Sequence, residues 1–211
     1  MTVLVIGGAA SGKSAYAEEL LCALSGGAES LLCGVSGGEE SLLCGVSGGA
    51  EKVYIATMER RGAEAEVRIA RHREARSGRG FRTLERPTDL PGLQVPIGSA
   101  ALLEDLGNLC ANELYSATGR GAGAEASILR GIENLRTRCA HVVIVSNEVF
   151  CGGAAYRGDT LSYLRLLARL HRELARRFDA VCEVICGAPL YYKGNCPAVT
   201  QCKGAERFAN P

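Results

Sequence analysis

A glycine-rich run near the N-terminus restricts the possible folds of this chain more than any other segment. The run is Gly7-Gly8-Ala9-Ala10-Ser11-Gly12-Lys13-Ser14; it follows the apolar residues Val3 to Ile6 and precedes an amphipathic pattern from Lys13 to Cys22. A strand, a glycine loop and a helix in this order bring backbone N–H groups together around phosphate oxygens. The sequence therefore predicts a phosphate loop for ATP or GTP, in which Lys13 contacts the β- and γ-phosphates and Ser14 binds Mg²⁺. An incidental glycine-rich turn is the alternative.

Apolar runs of strand type recur along the chain and alternate with helical patterns. They lie at Lys52 to Ala56, Ala100 to Leu103, His141 to Val145 and Ala180 to Cys186. This alternation predicts an α/β fold of the P-loop NTPase type, with three layers and a mostly parallel central sheet covered by helices on both faces. With 211 residues, 47% of them hydrophobic, the chain is long enough for one core. We expect a single domain over residues 1–194 and a C-terminal tail at 195–211.

Three tandem copies of an eleven-residue unit separate the first helix from the second strand. The copies are ELLCALSGGAE, SLLCGVSGGEE and SLLCGVSGGAE, at Glu19 to Glu29, Ser30 to Glu40 and Ser41 to Glu51. Each copy contains Ser-Gly-Gly, which favours a turn and interrupts a helix. We therefore expect the first copy to end the helix, and residues 30–51 to be a duplicated surface connector that can be deleted. The even spacing of Cys22, Cys33 and Cys44 follows from the duplication.

Composition and charge exclude several classes of function. The formal net charge of +1 gives no broad field that would attract nucleic acid or an anionic membrane. The N-terminus lacks the basic segment and cleavage site of a signal peptide, and no apolar stretch approaches the roughly 20 residues of a membrane helix. We expect a cytoplasmic protein whose ten cysteines are reduced. Cys182 and Cys186 lie in a segment of strand type, so a zinc site there is disfavoured.

A second acidic group near Mg²⁺ is expected at the end of another core strand. Glu104 and Asp105 follow the apolar run Ala100 to Leu103, and we select Glu104 as the metal ligand, with Asp105 in reserve. The alternative is that the pair only caps the following helix. Ser146-Asn147-Glu148 end another strand, at the edge where parallel sheets collect ligands, although a plain turn explains them almost as well.

One histidine lies among arginines on a predicted helix. Arg68, His72 and Arg76 follow one another at intervals of four and share one helix face. Such a cluster binds phosphate, and the neighbouring cations keep the imidazole neutral and nucleophilic near pH 7. From spacing alone, a solvated arginine-rich helix is the commoner explanation. His141 opens an apolar strand and His171 lies in a helical stretch, and we interpret both as structural.

Six segments form a combination that is more specific than the phosphate loop alone. They are GGAASGKSAYAE (7–18), VYIAT (53–57), RIARHREAR (68–76), TLERP (83–87), LLE (102–104) and VIVSNEV (143–149). Together they resemble the bifunctional adenosylcobinamide kinase / adenosylcobinamide-phosphate guanylyltransferase family of cobalamin biosynthesis. The order and spacing agree from residue 1 to about Gly194, apart from the duplicated connector. The resemblance implies phosphorylation of the terminal hydroxyl of adenosylcobinamide, followed by transfer of GMP from GTP onto that phosphate.

The resemblance also implies roles for particular residues. His72 would carry the guanylyl group, so this histidine and Lys13 are the expected catalytic residues. The nucleotide-site positions, in addition to the phosphate loop, are Ala56, Thr57, Met58, Arg73, Glu74, Ala75, Arg76, Glu85 and Glu104. The implied ligands are GTP, ATP, Mg²⁺ and adenosylcobinamide. Relatives form trimers whose subunit boundaries contribute to the sites, so a homo-oligomer is expected.

The chain departs from the usual family pattern where corrinoid or subunit contacts are expected. Ala10 replaces a frequent arginine, and the usual continuation GxGIVP after SNEV is Phe150-Cys151-Gly152-Gly153-Ala154-Ala155. Tyr163-Leu164-Arg165 and His171-Arg172 replace the usual FRD and NQ. Two alternatives stay open, namely a P-loop small-molecule kinase that lacks guanylyl transfer and a non-catalytic nucleotide-binding regulator.

Overall fold

The computed structural model describes residues 1–26, 49–59, 79–153 and 155–195. Its strands are β1 (Thr2–Gly7), β2 (Lys52–Ala56), β3 (Phe81–Glu85), β4 (Ala100–Glu104), β5 (His141–Asn147), β6 (Ala180–Ile185) and β7 (Ala188–Lys193). They form one seven-stranded sheet in the order β3-β2-β4-β5-β1-β6-β7. Neighbouring strands of this sheet are parallel, except that β6 and β7 form an antiparallel hairpin at one edge.

Four α-helices cover the sheet within the described ranges. They are α1 (Lys13–Ser25), α2 (Leu106–Tyr115), α3 (Ala124–Arg138) and α4 (Gly158–Arg177). An acidic residue in the first turn and arginines in the last turn of α3 and α4 complement the helix dipole. None of these described helices has both the length and the apolar character needed to cross a membrane.

The helices pack on both faces of the sheet, because successive side chains of a strand point to opposite faces. On one face, α2, α3 and α4 pack over residues such as Leu4 and Ile144. On the other face, α1 packs over residues such as Val5 and Val143. This arrangement confirms the three-layer α/β fold with a mostly parallel central sheet that the sequence predicts.

The two edge strands are the elements that sequence patterns miss. All five apolar runs predicted as strands are strands in the structure, whereas β3 and β7 are not predicted. APLYYK is largely exposed and FRTLE is only half-buried, and neither segment has the continuous apolar run of a strand that is covered on both faces. The predicted run Ala180 to Cys186 is also slightly too long, since β6 ends at Ile185 and Cys186 lies in the turn before β7.

The two described ends of the duplicated connector lie side by side. The helix α1 ends at Ser25, within the first copy, and Ser25 O accepts a hydrogen bond from Ala50 N at 3.3 Å. Glu51 O then accepts a hydrogen bond from Ala100 N at 2.8 Å, at the start of β4. Residues 27–48 of the connector and residues 196–211 of the tail lie outside the described ranges, so the dispensability of the connector stays a prediction.

Candidate nucleotide and metal site

The glycine-rich run forms a loop between β1 and α1, at the carboxyl edge of the parallel strands. Gly12 is the N-cap of α1 and has a φ of 88°, a left-handed conformation that glycine adopts without steric cost. Because glycine has no side chain that could cap the helix, the first amide groups of α1 are available to an anion. The loop therefore has the position and the donors of a phosphate site.

Lys13 lies across this loop instead of extending into solvent. The residue is only 8% exposed, and its Nζ atom donates a hydrogen bond to Gly8 O at 3.0 Å. Ser11 N also donates to Gly8 O, at 3.3 Å, so the loop curls around this carbonyl group. An ammonium group held here can exchange the carbonyl oxygen for phosphate oxygens when a nucleotide binds.

Ser14 and Glu104 are in direct contact, although they are 90 positions apart in the chain. Ser14 Oγ donates a hydrogen bond to Glu104 Oε1 at 2.6 Å. The other carboxyl oxygen, Glu104 Oε2, is buried and has no hydrogen-bond partner within the described part of the chain. Burial raises the pKa of Glu104 to about 7, against the opposing effect of the Ser14 hydrogen bond. A hydroxyl group beside a buried carboxyl oxygen is a combination that suits Mg²⁺.

The ends of β2, β3 and β4 bring three predicted nucleotide-site positions into one row. Ala56 is in register with Glu85 on β3 and with Glu104 on β4. Thr57, the next residue, is completely buried; its hydroxyl lies 3.0 Å from Glu104 O and accepts a hydrogen bond from Asp105 N at 2.8 Å. The Thr57 hydroxyl therefore fixes the backbone at Glu104 and Asp105 by hydrogen bonds, and the buried side chain does not line an open surface.

Asp105 has a different environment from Glu104. It is the N-cap of α2, with Oδ1 accepting from Asn108 N at 2.6 Å, and its Oδ2 atom accepts from Asn147 Nδ2 at 3.3 Å. Burial raises the pKa of Asp105, and the hydrogen bonds from Asn108 and Asn147 oppose that rise. The capping alternative therefore applies to Asp105, whereas Glu104 is the residue that contacts Ser14.

A cavity of about 400 Å³ opens beside this row. It lies past the carboxyl ends of β2 and β3 and is lined by Met58, Glu59, Glu85, Pro87, Ser116, Ala117 and Thr118. Two of the predicted nucleotide-site residues, Met58 and Glu85, are thus brought to one cavity. Its volume is in the range of sites that bind small molecules.

Two further segments hold the phosphate loop from the side of β5 and β6. Glu148 N donates a hydrogen bond to Gly7 O at 2.9 Å, and Gly187 N donates to Ser11 O at 2.8 Å. A Cβ atom on Gly7 would lie 2.8 Å from Val184 O, so a larger residue would displace the backbone. Sequence patterns did not identify Gly187. The available signal is the Cys186-Gly187 pair between two strand segments, because glycine is typical of the second position in a two-residue hairpin turn.

Comparison with known proteins now decides the family. Residues 3–192 match the family described as cobinamide kinase / cobinamide phosphate guanyltransferase. The chain belongs to this family. The bifunctional adenosylcobalamin biosynthesis protein CobP of Pseudomonas aeruginosa is 30% identical over 197 residues, which cover 92% of this chain and 98% of the relative. This match confirms the family resemblance and the P-loop fold class. It also confirms the activities predicted from the sequence, which are those of a kinase and a nucleotidyltransferase of cobalamin biosynthesis that use nucleotide substrates.

His72, the histidine predicted to carry the guanylyl group, lies outside the residues that the structure of this cobinamide kinase and guanyltransferase describes. His72 belongs to residues 60–78, together with Arg73, Glu74, Ala75 and Arg76. The flanking residues are described: Glu59 lines the cavity, and Arg79 Nη1 pairs with Glu18 Oε2 on α1 at 3.0 Å. The part of His72 in the guanyltransferase reaction stays a prediction.

Two departures from the family pattern meet near the end of β5. His171 Nε2 lies 2.7 Å from Ser146 Oγ, and the Phe150 ring contacts the imidazole edge-to-face with 5.7 Å between the ring centroids. Burial lowers the pKa of His171 to about 4, so this ring is neutral at pH 7. The other described histidine, His141, lies beside the N-terminal amine, with its Nδ1 atom 3.3 Å from Met1 N. Both histidines are engaged within the fold, His141 beside the N-terminal amine and His171 beside Ser146, which is in register with Ile6 on β1.

Proposed function

We propose that this chain phosphorylates adenosylcobinamide and then transfers GMP from GTP to adenosylcobinamide phosphate, with the phosphate-loop region serving the nucleotide. The observation that carries the proposal is the contact between Ser14 and Glu104 beside the loop, in a member of a kinase and guanyltransferase family. The adenosyl form of the substrate is supported by the Pseudomonas aeruginosa relative, whose description is that of an adenosylcobalamin biosynthesis protein.

The nucleotide phosphates would bind at the loop Gly7 to Ser14. The free amide groups at the start of α1 and the ammonium group of Lys13 supply donors and positive charge for them. In the kinase step, the terminal hydroxyl oxygen of adenosylcobinamide attacks the γ-phosphorus of ATP or GTP, and the bond from that phosphorus to the bridging oxygen breaks. The nucleoside diphosphate leaves and the hydroxyl proton is released. Positioning and charge neutralisation are the main contributions of a protein to this chemistry.

Ser14 and Glu104 would hold Mg²⁺. The described ranges contain no group of three His, Cys, Asp or Glu side chains that could hold a metal ion, so this site would depend on two protein ligands and on nucleotide phosphates, which is usual for Mg²⁺. The buried Oε2 atom of Glu104, which lacks a hydrogen-bond partner among the described residues, fits this role. Mg²⁺ supplies neutralisation of the charge on the β- and γ-phosphates. A cation beside Glu104 also favours its ionised form, because it opposes the effect of burial on the pKa.

The guanylyl step would use His72 as the nucleophile. An imidazole nitrogen attacks the α-phosphorus of GTP, the bond to the bridging oxygen breaks, and pyrophosphate leaves. A phosphate oxygen of adenosylcobinamide phosphate then attacks the same phosphorus and releases the imidazole, giving adenosylcobinamide-GDP. Arg73 and Arg76 would stabilise the charge that develops on the phosphate oxygens. The support for this step is the sequence motif and the guanyltransferase activity of the family.

The cavity beside the row of strand ends would receive the nucleoside part of a nucleotide. Its lining includes the apolar side chain of Met58 and the carboxyl group of Glu85. An apolar surface can pack against a base, and a carboxylate can accept hydrogen bonds from base or ribose donors. Met58 and Glu85, two of the nucleotide-site residues that the family resemblance implies, would then lie at the same carboxyl ends of the parallel strands as the phosphate loop.

A homo-oligomer, specifically a trimer, is proposed from the family resemblance. The exposed apolar residues Ile185, Leu190 and Tyr192 on the β6–β7 hairpin are consistent with a subunit contact. Sedimentation equilibrium of the full chain tests the assembly, with three times the chain mass as the expected result. A monomer throughout the micromolar range would contradict this part of the proposal.

The mass of the full chain after incubation with GTP and Mg²⁺ tests the reaction sequence. We expect the wild-type chain to gain one GMP, which adenosylcobinamide phosphate then removes. His72→Ala is expected to gain none, whereas the matched control His141→Ala gains GMP as the wild type does.

Two outcomes would select the alternatives. Formation of adenosylcobinamide phosphate without any GMP adduct would leave a kinase that lacks guanylyl transfer by this route. Binding of nucleotide with neither transfer reaction would contradict the catalytic proposal and favour a regulator. A GMP adduct that persists in His72→Ala would assign the nucleophile to another residue.

A further inference from the structure

The turn between β6 and β7 lies against the phosphate loop. Cys186 and Gly187 form this two-residue turn with φ angles of 50° and 82°, both left-handed, as in a type I′ hairpin. The Gly187 amide donates a hydrogen bond to Ser11 O at 2.8 Å. A Cβ atom on Gly12 would lie 3.2 Å from Gly187 Cα, so the backbones of the turn and the loop are in contact.

The same hairpin also contacts the start of the loop and the helix that follows it. Val184 O, on β6, lies 2.8 Å from the position that a Cβ atom on Gly7 would occupy. Tyr191 on β7 and Tyr16 on α1 share a hydrogen bond of 2.5 Å between their hydroxyl groups. The hairpin therefore contacts the phosphate loop at Gly7 and at Ser11–Gly12, and it contacts the start of α1 at Tyr16.

The hydrogen bond to Ser11 O sets the direction of one peptide group in the loop. In a trans peptide, the C=O and N–H groups point in opposite directions. Because the Gly187 amide holds Ser11 O toward the hairpin, the N–H of Gly12 in the same peptide points away from it. Gly12 is the N-cap of α1 with a φ of 88°, and glycine leaves this peptide free to rotate when the bond is absent.

We propose that the β6–β7 turn positions the phosphate loop, and that Gly187 orients the Ser11–Gly12 peptide so that its N–H serves the nucleotide phosphates. The inference rests on the proposed function, because it requires the loop to be the phosphate site. Gly187 is exposed at the hairpin tip and acts through Ser11, so it is a positioning residue and not a catalytic one.

Gly187→Ala tests the proposal, and Gly98→Ala is its matched control. Both glycines have left-handed φ angles, 82° and 79°, with open space around an added Cβ atom. Both amides donate to a distant carbonyl group, and Gly98 donates to Arg138 O at 2.7 Å. Gly98 lies before β4, at the amino ends of the parallel strands, whereas the loop lies at their carboxyl ends. Since alanine meets the same backbone strain at both positions, we expect a similar fall in melting temperature for both variants.

Calorimetric titration with α,β-methylene-GTP and Mg²⁺ separates the two variants. The methylene bridge prevents GMP transfer, so the titration measures binding alone. We expect the dissociation constant of Gly187→Ala to rise about tenfold, and that of Gly98→Ala to stay within about twofold of the wild type. Equal affinity in all three proteins would overturn the inference. Lack of binding by the wild type would overturn the phosphate site on which the inference rests.

Hydrogen exchange of the wild-type chain gives a second measurement that needs no variant. Coupling between two sites is reciprocal, so a nucleotide bound at the loop must also stabilise the turn. With α,β-methylene-GTP bound, we expect exchange of the Gly187 amide to slow by about tenfold and exchange of the Gly98 amide to be unchanged. Unchanged exchange at Gly187 under saturating nucleotide would overturn the proposal even if Gly187→Ala failed to fold.

Discussion

Deletion of the duplicated connector is expected to stabilise the fold. Removing Ser30–Glu51 takes out two of the three copies and leaves Gly-Gly-Ala-Glu between α1 and β2. In the full chain, the described ends of the connector are joined by the hydrogen bond from Ala50 N to Ser25 O. In the shortened chain Ala28 takes the place of Ala50, three residues after Ser25, so the same bond closes a β-turn with two central glycines.

The size of the gain follows from the length of chain that must be closed. The connection spans residues 26–51 in the full chain and residues 26–29 after the deletion. The free energy of loop closure grows as 1.5RT times the logarithm of the length, so shortening from about 26 to about 4 residues raises the free energy of unfolding by about 1.7 kcal/mol. Removing the single copy Ser30–Glu40 leaves about 15 residues and gives about 0.5 kcal/mol.

Urea denaturation of the full chain and the two deletion variants, followed by circular dichroism, measures this series. We expect the midpoint to rise with each copy removed, while the dependence on urea concentration stays similar. Nucleotide affinity is expected to be unchanged, because the phosphate loop and Glu104 are untouched. A fall in the free energy of unfolding of about 1 kcal/mol or more in either variant would refute the reasoning, since it would mean that the connector makes contacts that the fold needs.

Three further predictions concern single side chains. Lys13→Ala is expected to slow formation of adenosylcobinamide phosphate by about 10²- to 10³-fold in initial-rate assays, and a loss below tenfold would contradict its role at the phosphates. Glu104→Gln is expected to raise the Mg²⁺ concentration for half-maximal activity about tenfold or more. Asp105→Ala removes a helix cap and is expected mainly to lower the free energy of unfolding, by about 1 kcal/mol. The reverse pattern would exchange the roles assigned to the two residues. The pKa of His171 is lowered to about 4 in the fold, below about 6.5 when unfolded, so the unfolded chain binds more protons between these values and stability falls as the pH drops through them. Urea denaturation should show a loss of about 2 kcal/mol from this group between pH 7 and pH 5, absent in His171→Asn, and parallel pH profiles of the two proteins would contradict it.

Consecutive residues were enough to predict the central strands, the glycine-rich loop between β1 and α1, and the family. The loop Gly7 to Ser14 and the strands around it depend on short windows of sequence, because an apolar run, a glycine turn and a helical period are local properties. The choice of Glu104 was also available, since an acid at the end of a buried strand lies at the edge where ligands bind. Family membership followed from several such windows in a fixed order.

The folded arrangement was needed for every relationship between distant segments. Sequence favoured Glu104 over Asp105 as the metal ligand, but it could not show that Glu104 contacts Ser14 while Asp105 caps α2, because two adjacent carboxylates differ only in the partners that packing brings to them. It also missed the edge strands β3 and β7 and the bond from Gly187 to Ser11. Edge strands lack the continuous apolar signal of covered strands, and a backbone hydrogen bond leaves no mark in side-chain patterns, so register and packing alone reveal them.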